Sequence, residues 1–410
     1  MVNYDDGTSG AAKAALRLHR ALRKKDIDSR MLVQKKSGDD PLVMGPESKI
    51  KKAMTEVAPA VDALPSWFYR GRRPGIFSSA WAGLPGVVDK INGLKPDIVH
   101  LHWINAGMMS LRDITKINAP VVWSLHDQWA FTGGCHLSWG CDAYTGGCGK
   151  CPALASGKEN DISRRIWQRK LSAYSGVSNL TILGLSGWMK TCADQSGIFG
   201  NAAIRHLPNV IDTGEFAPVD TVWARKVLGL PAHGKLVLFS GSSATRDTNK
   251  GYQYLIEAMG KLNRQDIQLC VLGSQGVADP SPVEERIKYL GIYSDDASMK
   301  LVYSAADLLI VPSRQENLSC SIMEAMSCGT PVVAFDTGGN KDLIAHLQNG
   351  YLVKPFDTDD LAKGIEWIFT QDAMQLAESA RKAMIEQYDS DLLVAQYQQL
   401  YESILNRAVS

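Results

Sequence analysis

The chain has 410 residues, a length typical of two or three domains rather than one. Hydrophobic residues make up 45% of the sequence and charged residues 21%, which excludes a disordered or fibrous protein. Lys plus Arg number 44 and Asp plus Glu 43, and the resulting net charge of +1 argues against a nucleic-acid-binding protein. We find neither an apolar run of the roughly 18–20 residues that span a bilayer nor a signal-peptide core. We therefore expect a soluble protein that stays in the cytoplasm.

The charge is unevenly divided along the chain. Residues 1–210 carry 27 Lys and Arg against 17 Asp and Glu, a balance of +10. Residues 211–410 carry 17 against 26, a balance of −9. Two halves of opposite charge predict different partners, and an anionic partner suits the first half.

Apolar segments rich in β-branched residues alternate with amphipathic helical patterns. The first helical pattern places Ala15, Leu18 and Leu22 on one face. The apolar segments are short and continuous, as in strands that are buried on both faces. We predict strands at Asp97–His102, Val121–His126, Leu180–Ser186, Leu236–Gly241, Ile267–Gly273, Asp307–Pro312 and Pro331–Phe335. This alternation predicts an α/β fold with parallel sheets and right-handed crossovers.

The start of the chain departs from this pattern. Only Met1–Tyr4 and two aspartates precede the glycine turn Gly7–Gly10, whereas a strand before such a turn usually has five or six residues. We therefore expect a shortened first strand and a chain start that lies too far downstream.

The segment Pro208–Asp212, followed by polar residues to Pro218, predicts a domain boundary. The first domain would comprise residues 1–208 and the second residues 209–389. The amphipathic C-terminal segment, residues 390–410, is expected to pack back on the first domain.

The strongest motif is a pair of glutamates, Glu316 and Glu324, with seven residues between them. Glu316 follows the predicted strand that ends at Pro312, at the sheet edge where α/β proteins bind ligands. A helix is predicted to begin near Ser319, and its first N–H groups can bind an anion or a sugar hydroxyl. The carboxylate of Glu324 can accept hydrogen bonds from a ribose diol, and that of Glu316 from sugar hydroxyls. Two solvated glutamates are the alternative for an isolated pair.

Together with Gly329-Thr330-Pro331, these glutamates resemble the E-x7-E signature of the retaining glycosyltransferases of family 4. The resemblance covers nearly the whole chain, since Lys250-Gly251 matches the family's lysine and Pro208–Asp212 its interdomain segment. It implies the GT-B fold, in which two Rossmann-like, doubly wound parallel-sheet domains face a cleft. The second domain would bind a nucleotide sugar and the first the acceptor.

The resemblance also implies roles for individual residues. Lys250 would neutralise the donor diphosphate, Glu316 would hold the donor sugar and Glu324 the ribose. Further donor contacts are expected at Gly10, Arg246, Gly273, Asn317, Leu318, Ser319 and Cys320. Gly10 lies in a glycine turn that alone would be a weak signal, because turns need glycine in any case.

One position departs from the family pattern. Many members have an arginine five residues before the lysine, where this chain has Thr245. Either the adjacent Arg246 contacts the phosphate from a shifted loop, or the second cation is absent, and we favour Arg246.

Three histidines lie on predicted strands in the first half. His126 matches the family histidine that contacts the donor sugar near its reacting carbon, and a buried structural histidine is the alternative. His100 and His102 alternate along one strand and therefore point the same way. Lining the cleft and structural packing are both open for these two.

Four cysteines lie within seventeen residues, at Cys135, Cys141, Cys148 and Cys151. In a reducing compartment such a cluster favours a metal over disulfides. Four thiolates would complete a tetrahedral, structural zinc site, while disulfides or free thiols are the alternatives because the spacing is not that of a standard zinc finger. The loop resembles the family branch that contains colanic-acid and exopolysaccharide glycosyltransferases, and we expect it to shape the acceptor pocket.

The segment 67–81 interleaves aromatic residues with Arg70, Arg72 and Arg73. Aromatic rings next to cations suit an anionic membrane surface. A surface loop with some buried rings is the alternative, and nothing else in the chain supports single-stranded nucleic acid as the partner.

Together these features predict a retaining hexosyltransferase that uses a UDP- or GDP-sugar. We expect the acceptor to be a glycan on a polyprenyl diphosphate, at the inner face of the membrane, in bacterial surface polysaccharide biosynthesis. No D-x-D pair lies on the expected loop, so no catalytic metal is expected. A nucleotide-sugar epimerase of the same fold and a non-catalytic GT-B partner subunit remain as alternatives.

Overall fold

The computed structural model describes residues 1–7, 9–73, 75–241, 243–276, 283–293 and 295–409. The described chain forms two compact units. Unit 1 comprises residues 1–208 together with the C-terminal residues from Val394, and unit 2 comprises Asn209–Leu393. Each unit has its own parallel sheet and its own hydrophobic core.

Unit 1 contains a seven-stranded sheet in the order β3-β2-β1-β4-β5-β6-β7, with all neighbouring strands parallel. Its elements are β1 (Val2–Asp5), α1 (Gly10–Lys24), β2 (Met31–Lys35), β3 (Val43–Met44), α2 (Lys49–Trp67), α3 (Val87–Gly93), β4 (Val99–Leu101), α4 (Leu111–Ile114), β5 (Val121–Leu125), α5 (Ile162–Ser175), β6 (Leu180–Gly184), α6 (Gly187–Ser196) and β7 (Ala203–His206). Short 3-10 helices lie at Trp129–Phe131, Ala143–Gly146 and Pro152–Leu154.

The sequence explains the central elements of this unit. All five residues of β5 are buried, as expected for a strand covered by helices on both faces. Helix α1 begins after Ser9, whose hydroxyl accepts a hydrogen bond from the N–H of Ala12, and it buries Ala15, Leu18 and Leu22. The glycine turn before α1 is therefore held at the carboxyl end of β1.

Unit 2 contains a six-stranded parallel sheet in the order β10-β9-β8-β11-β12-β13. Its elements are α7 (Thr221–Val227), β8 (Lys235–Ser240), α8 (Tyr252–Lys261), β9 (Ile267–Leu272), a 3-10 helix (Glu284–Arg286), β10 (Ile287–Gly291), α9 (Asp296–Ala305), β11 (Leu308–Val311), α10 (Cys320–Ser327), β12 (Val332–Phe335), α11 (Asn340–Leu343), β13 (Gly350–Val353), α12 (Thr358–Thr370), α13 (Ala373–Gln387) and α14 (Ser390–Val409), which continues into unit 1. Both sheets are Rossmann-like, and the predicted α/β architecture of two parallel-sheet units is confirmed.

Each of the seven segments predicted as a strand overlaps a strand of one of the two sheets. The sequence did not predict β2, β3, β7, β10 and β13, which lie at or near the edges of the sheets. The short first strand has four residues and lies between β2 and β4 in the middle of its sheet.

The last helix, α14, packs on unit 1 through two tyrosines. The hydroxyl of Tyr397 donates a hydrogen bond of 2.9 Å to the carbonyl oxygen of Pro208. The hydroxyl of Tyr401 lies 2.7 Å from Nδ1 of His100. Within the described part of the chain, no helix is both long enough and apolar enough to cross a membrane.

Candidate functional site

In unit 2, the loops at the carboxyl ends of β8, β11 and β12 touch backbone to backbone. Gly251 and Gly338 adopt φ angles of +74° and +60°, in the left-handed region that favours glycine. A Cβ on Gly251 would lie 1.9 Å from the carbonyl oxygen of Pro312, and one on Gly338 would lie 1.7 Å from that of Glu316. Only glycine fits at these positions, and the contacts bring the Lys250 loop and the Gly338 loop against the Glu316 loop.

Lys250 and Glu316 form an ion pair at this edge. Nζ of Lys250 donates a hydrogen bond of 2.7 Å to Oε1 of Glu316, and the two side chains are 27% and 15% exposed. Burial disfavours the charge on Lys250, but the Glu316 carboxylate outweighs it, and the pKa of Lys250 lies above its ordinary value. Lys250 therefore keeps a positive charge at neutral pH, on the edge where α/β sheets bind ligands.

Asn249 ties the same two loops together. It is buried, and its side-chain amide donates a hydrogen bond of 2.9 Å to the carbonyl oxygen of Gln315. The backbone N–H of Arg314 donates to the carbonyl oxygen of Asn249 at 2.8 Å. Asn249 was not predicted, although its place next to Lys250 was an available signal.

Glu324 lies inside helix α10 and is only 2% exposed. The hydroxyl of Tyr303, a fully buried residue of α9, donates a hydrogen bond of 2.6 Å to Oε2 of Glu324. This bond fixes the carboxylate, because a buried tyrosine hydroxyl and a buried carboxylate both need a partner. Tyr303 was not predicted, since it lies 21 residues before Glu324 in a different helix.

The segment that leads into α10 contains the remaining residues of this loop that were predicted to contact the donor. Leu318 and Ser319 are buried, whereas Asn317 and Cys320 are partly exposed. Ser319 is the N-cap residue of α10 but makes no side-chain capping bond, and its hydroxyl lies 3.0 Å from that of Ser321. The helix therefore begins where the sequence predicts it, directly after the Glu316 loop.

Thr245 and Arg246 point to different surroundings. The hydroxyl of Thr245 lies 2.9 Å from that of Ser274, in the loop after the predicted donor residue Gly273. Gly273 has a φ of +90° and packs against the backbone of Gly241. The side chain of Arg246 is exposed and makes no hydrogen bond or ion pair with the described residues. The structure therefore brings Thr245, and not Arg246, into contact with the Gly273 loop.

In unit 1, His126 follows β5 and bonds to a second histidine. Nε2 of His126 lies 2.9 Å from Nδ1 of His102. Burial lowers the pKa of His126 to about 4 and that of His102 well below its ordinary value. Both rings are therefore neutral at pH 7, and the bond requires that one nitrogen donates and the other accepts.

His100 belongs to the packing of this unit. Its Nε2 lies 2.8 Å from the Ser124 hydroxyl, its Nδ1 bonds to Tyr401, and its ring stacks on His102 at 4.4 Å. Of the two histidines on the predicted strand, His102 is the one that contacts His126.

The glycine turn of unit 1 lies at the same sheet edge as His126. The N–H of Gly7 donates a hydrogen bond of 3.1 Å to Oδ1 of Asp5. A Cβ on Gly7 or Gly10 would meet no described heavy atom within 4 Å, so the space at both positions is open. Thr8, which was predicted as part of this turn, lies outside the described residues.

The cysteine cluster does not form the expected zinc site. Cys135, Cys141, Cys148 and Cys151 line one cavity of about 20 Å³, yet no group of three or more described His, Cys, Asp or Glu side chains is arranged to hold a metal ion. The four residues are thiols rather than disulfides. The expectation of zinc is therefore not supported.

A buried lysine, Lys170, contacts the backbone at the start of the cysteine-containing loop. Nζ of Lys170 donates hydrogen bonds to the carbonyl oxygens of Trp129 and Thr132 and lies 3.7 Å from the centre of the Trp129 ring. Burial lowers the pKa of Lys170 to about 7. Next to His126, Asp127 accepts a hydrogen bond of 2.6 Å from His136, which anchors the start of the same loop. Sequence spacing gave no signal for either contact.

The aromatic segment of unit 1 exposes several large side chains. Trp67 is 53% exposed, Phe68 87%, Ile76 63% and Trp81 46%. Arg70, Arg72 and Arg73 are exposed among them, while Pro74 lies outside the described residues. Apolar and cationic groups therefore share one part of the surface.

Comparisons with known proteins agree with this geometry. Residues 8–214 match the sequence profile described as Glycosyltransferase Family 4, and residues 224–387 match that of the glycosyl transferases group 1. An uncharacterized glycosyltransferase of Methanocaldococcus jannaschii is 28% identical over 328 residues, 75% of each chain. The phosphatidyl-myo-inositol mannosyltransferase of Mycobacterium tuberculosis is 29% identical and aligns with 75% of this chain and 74% of its own.

Solved structures show the same fold. Sucrose-phosphate synthase of Thermosynechococcus elongatus superposes with a TM-score of 0.66 at 19% identity, covering 100% of this chain and 96% of its own. Anabaena HepE in complex with UDP gives a TM-score of 0.63 at 18% identity, covering 98% of both chains. The chain therefore belongs to glycosyltransferase family 4 and has the GT-B fold.

Proposed function

We propose that this protein is a retaining hexosyltransferase that moves a sugar from a nucleotide diphosphate to a glycan acceptor. The observation that carries the proposal is the Lys250–Glu316 pair at the carboxyl edge of the second sheet, with Glu324 in the helix that follows. A cation and two carboxylates match the diphosphate and the hydroxyls of a nucleotide sugar. Unit 2 is proposed to bind the donor and unit 1 the acceptor.

The donor is proposed to be a UDP- or GDP-sugar. Anabaena HepE, which shares the fold, has been solved with UDP and with UDP-glucose, which supports a uridine nucleotide. Gly273 and Thr245 would lie near the base, and Arg246 would reach the phosphate only after its loop shifts.

In the proposed reaction Lys250 stabilises the charge that develops on the leaving diphosphate, aided by the N–H groups at the start of α10. Glu316 exchanges its bond with Lys250 for bonds to the sugar hydroxyls, and Glu324 holds the ribose. His126 presents a neutral imidazole to the donor sugar. Retention, through a front-face displacement without a covalent intermediate, and independence of a catalytic metal are part of the proposal.

The acceptor is proposed to be linked to a polyprenyl diphosphate, in bacterial surface polysaccharide synthesis of the exopolysaccharide type. The exposed aromatic and arginine side chains of residues 67–81 support contact with the inner face of the membrane. Phe68→Glu should then lower binding to anionic vesicles. Trp223→Glu, at an apolar residue of unit 2 that is 52% exposed, should leave it unchanged.

The proposal is tested by a thermal-shift screen of nucleotide sugars, followed by a transfer assay with the donor that stabilises the protein most. We expect a product with the donor's anomeric configuration, formed equally well with a metal chelator present. An epimerised nucleotide sugar without transfer would favour an epimerase, and binding without turnover would favour a non-catalytic subunit.

A further inference from the structure

A second pocket opens at the carboxyl edge of the first sheet, away from the cysteine cavity. Its lining includes Gln34, near the end of β2, and Gly45, directly after β3. His126 follows β5 at the same edge, because carboxyl ends of parallel strands meet on one side of a sheet. Strands β2 and β5 are three positions apart, so roughly 15 Å separates their ends.

The walls of this pocket are mostly apolar. Met54 of α2, Leu84 and Val87 before and in α3, and Met108 after β4 form them. The cavity measures about 70 Å³, room for roughly five water-sized groups. That is the size of one five-carbon isoprene unit, and methionine side chains adapt to such branched, flexible ligands.

One buried polar atom in the pocket lacks a partner. Gln34 is 3% exposed, and its Nε2 donates a hydrogen bond of 3.1 Å to the carbonyl oxygen of Thr55. This carbonyl can only accept, so the orientation of the amide is fixed. Oε1 of Gln34 then finds no hydrogen-bond donor among the described residues. Gln34 therefore contributes one fixed amide group to an otherwise apolar wall.

The rim of the pocket is cationic. Lys51 and Lys90 line it together with Glu47, which pairs with Lys90 at 2.6 Å. Lys49 and Lys52 are exposed on the first turn of α2 beside Lys51. An apolar pocket under a positive rim is complementary to an apolar chain that carries an anionic group.

We propose that this pocket binds the first isoprene unit of a polyprenyl-diphosphate-linked acceptor, with the diphosphate at Lys51. The inference rests on the proposed function and names the place where unit 1 holds the acceptor lipid. The span from this pocket toward His126 is one that a diphosphate and one or two sugar rings can bridge.

The test is calorimetric titration of the full chain with farnesyl diphosphate. Met54→Trp, which fills the cavity, should weaken binding about tenfold, since it removes the burial of one isoprene-sized group. Ile50→Trp is the matched control, because Ile50 is 75% exposed on the same helix and does not line the pocket. Lys51→Glu should weaken binding about fivefold and Lys49→Glu less than twofold.

Gln34→Leu tests the apolar character of the wall. It should bind farnesyl diphosphate at least as tightly as the wild type, because an isoprene unit offers no hydrogen-bond donor to Oε1 of Gln34. Thermal unfolding of each variant checks that it is folded, and Met54→Gln replaces Met54→Trp if the latter unfolds. Equal binding by the Met54 and Ile50 variants would overturn the inference.

The experiments distinguish a failure of the pocket assignment from a failure of the proposed function. If sugar is transferred to a soluble glycan but farnesyl diphosphate does not bind, the pocket assignment is wrong and the proposed function stands. If no donor is turned over but the variants change binding as expected, the pocket assignment stands and the proposed function is wrong.

Discussion

The carboxyl edges of the two sheets are built from opposite kinds of chemistry. In unit 2 the edge carries a charged pair, Lys250 and Glu316, held by loops that only glycine allows to touch. In unit 1 the edge carries two neutral histidines, His102 and His126, joined by one hydrogen bond. Beside the central strands, the same Rossmann-like frame thus carries a charged pair in unit 2 and a pair of uncharged imidazoles in unit 1. This difference suits a polyanionic donor at the edge of unit 2 and a sugar that must be oriented at the edge of unit 1.

Removing the charge of unit 2 should have the largest effect. Lys250→Ala is expected to lower kcat/KM for sugar transfer about 10²- to 10³-fold, because the leaving diphosphate loses the cation that stabilises its developing charge. Steady-state kinetics with the identified donor measures it. Lys261→Ala, at a surface lysine paired with Glu257 in the same unit, should keep wild-type kinetics. Equal losses of kcat/KM in both variants would contradict a specific role of Lys250 in sugar transfer.

The next largest effect should be on stability, and it should come from the close backbone contact at Gly338. Gly338→Ala places a Cβ 1.7 Å from the carbonyl oxygen of Glu316 and should lower the free energy of unfolding by about 3 kcal/mol. Denaturant unfolding measures the change. Gly260→Ala is the control, since that glycine lies in α8 with no described atom near its Cβ, and it should raise stability by about 0.5–1 kcal/mol. If Gly338→Ala is also stabilising, the loops are not packed as described.

A smaller effect should follow from the tyrosine behind Glu324. Tyr303→Phe removes the 2.6 Å hydrogen bond to the carboxylate and should raise the donor KM about five- to tenfold with little change in kcat. Tyr293→Phe, at a partly exposed tyrosine of the same unit, provides the comparison. A change in kcat alone would mean that Glu324 acts in the chemical step rather than in binding.

The neutral imidazoles of His102 and His126 in unit 1 should make stability depend on pH. Because the pKa of His126 is about 4 in the folded protein and about 6.5 in an unfolded chain, only the unfolded chain takes up the proton between these values. The free energy of unfolding should therefore fall as pH drops from about 6.5 to about 4. In His102→Gln the fall should be smaller, since one buried neutral imidazole is gone. His206→Gln, at an exposed histidine, should follow the wild-type curve.

The central strands and the glutamate motif could be predicted because their signals are local. Segments such as Val121–Leu125 are continuous apolar runs, and Glu316 and Glu324 lie in one stretch of chain with recognisable neighbours. The edge strands were missed because they are short and partly exposed, as in Ala203–His206.

The partners of the site residues could not be predicted because they are distant in the sequence. Lys250 and Glu316 are 66 residues apart, and His100 meets Tyr401 across 301. The cysteine spacing predicted zinc, yet spacing does not report how the thiols are oriented or that Lys170 is buried beside the loop. Whether Thr245, at the position of the family's arginine, or the adjacent Arg246 faces the Gly273 loop likewise depended on the conformation of the turn, which brings Thr245 there.

The most direct test of the charged edge compares the binding of a nucleoside diphosphate and its nucleoside. Calorimetry on the wild type should give at least about tenfold tighter binding for the diphosphate, because Lys250 is its cationic partner. Lys250→Ala should abolish most of that preference while leaving the affinity for the nucleoside unchanged. A variant that keeps the full preference for the diphosphate would contradict the assignment of this edge as the donor site.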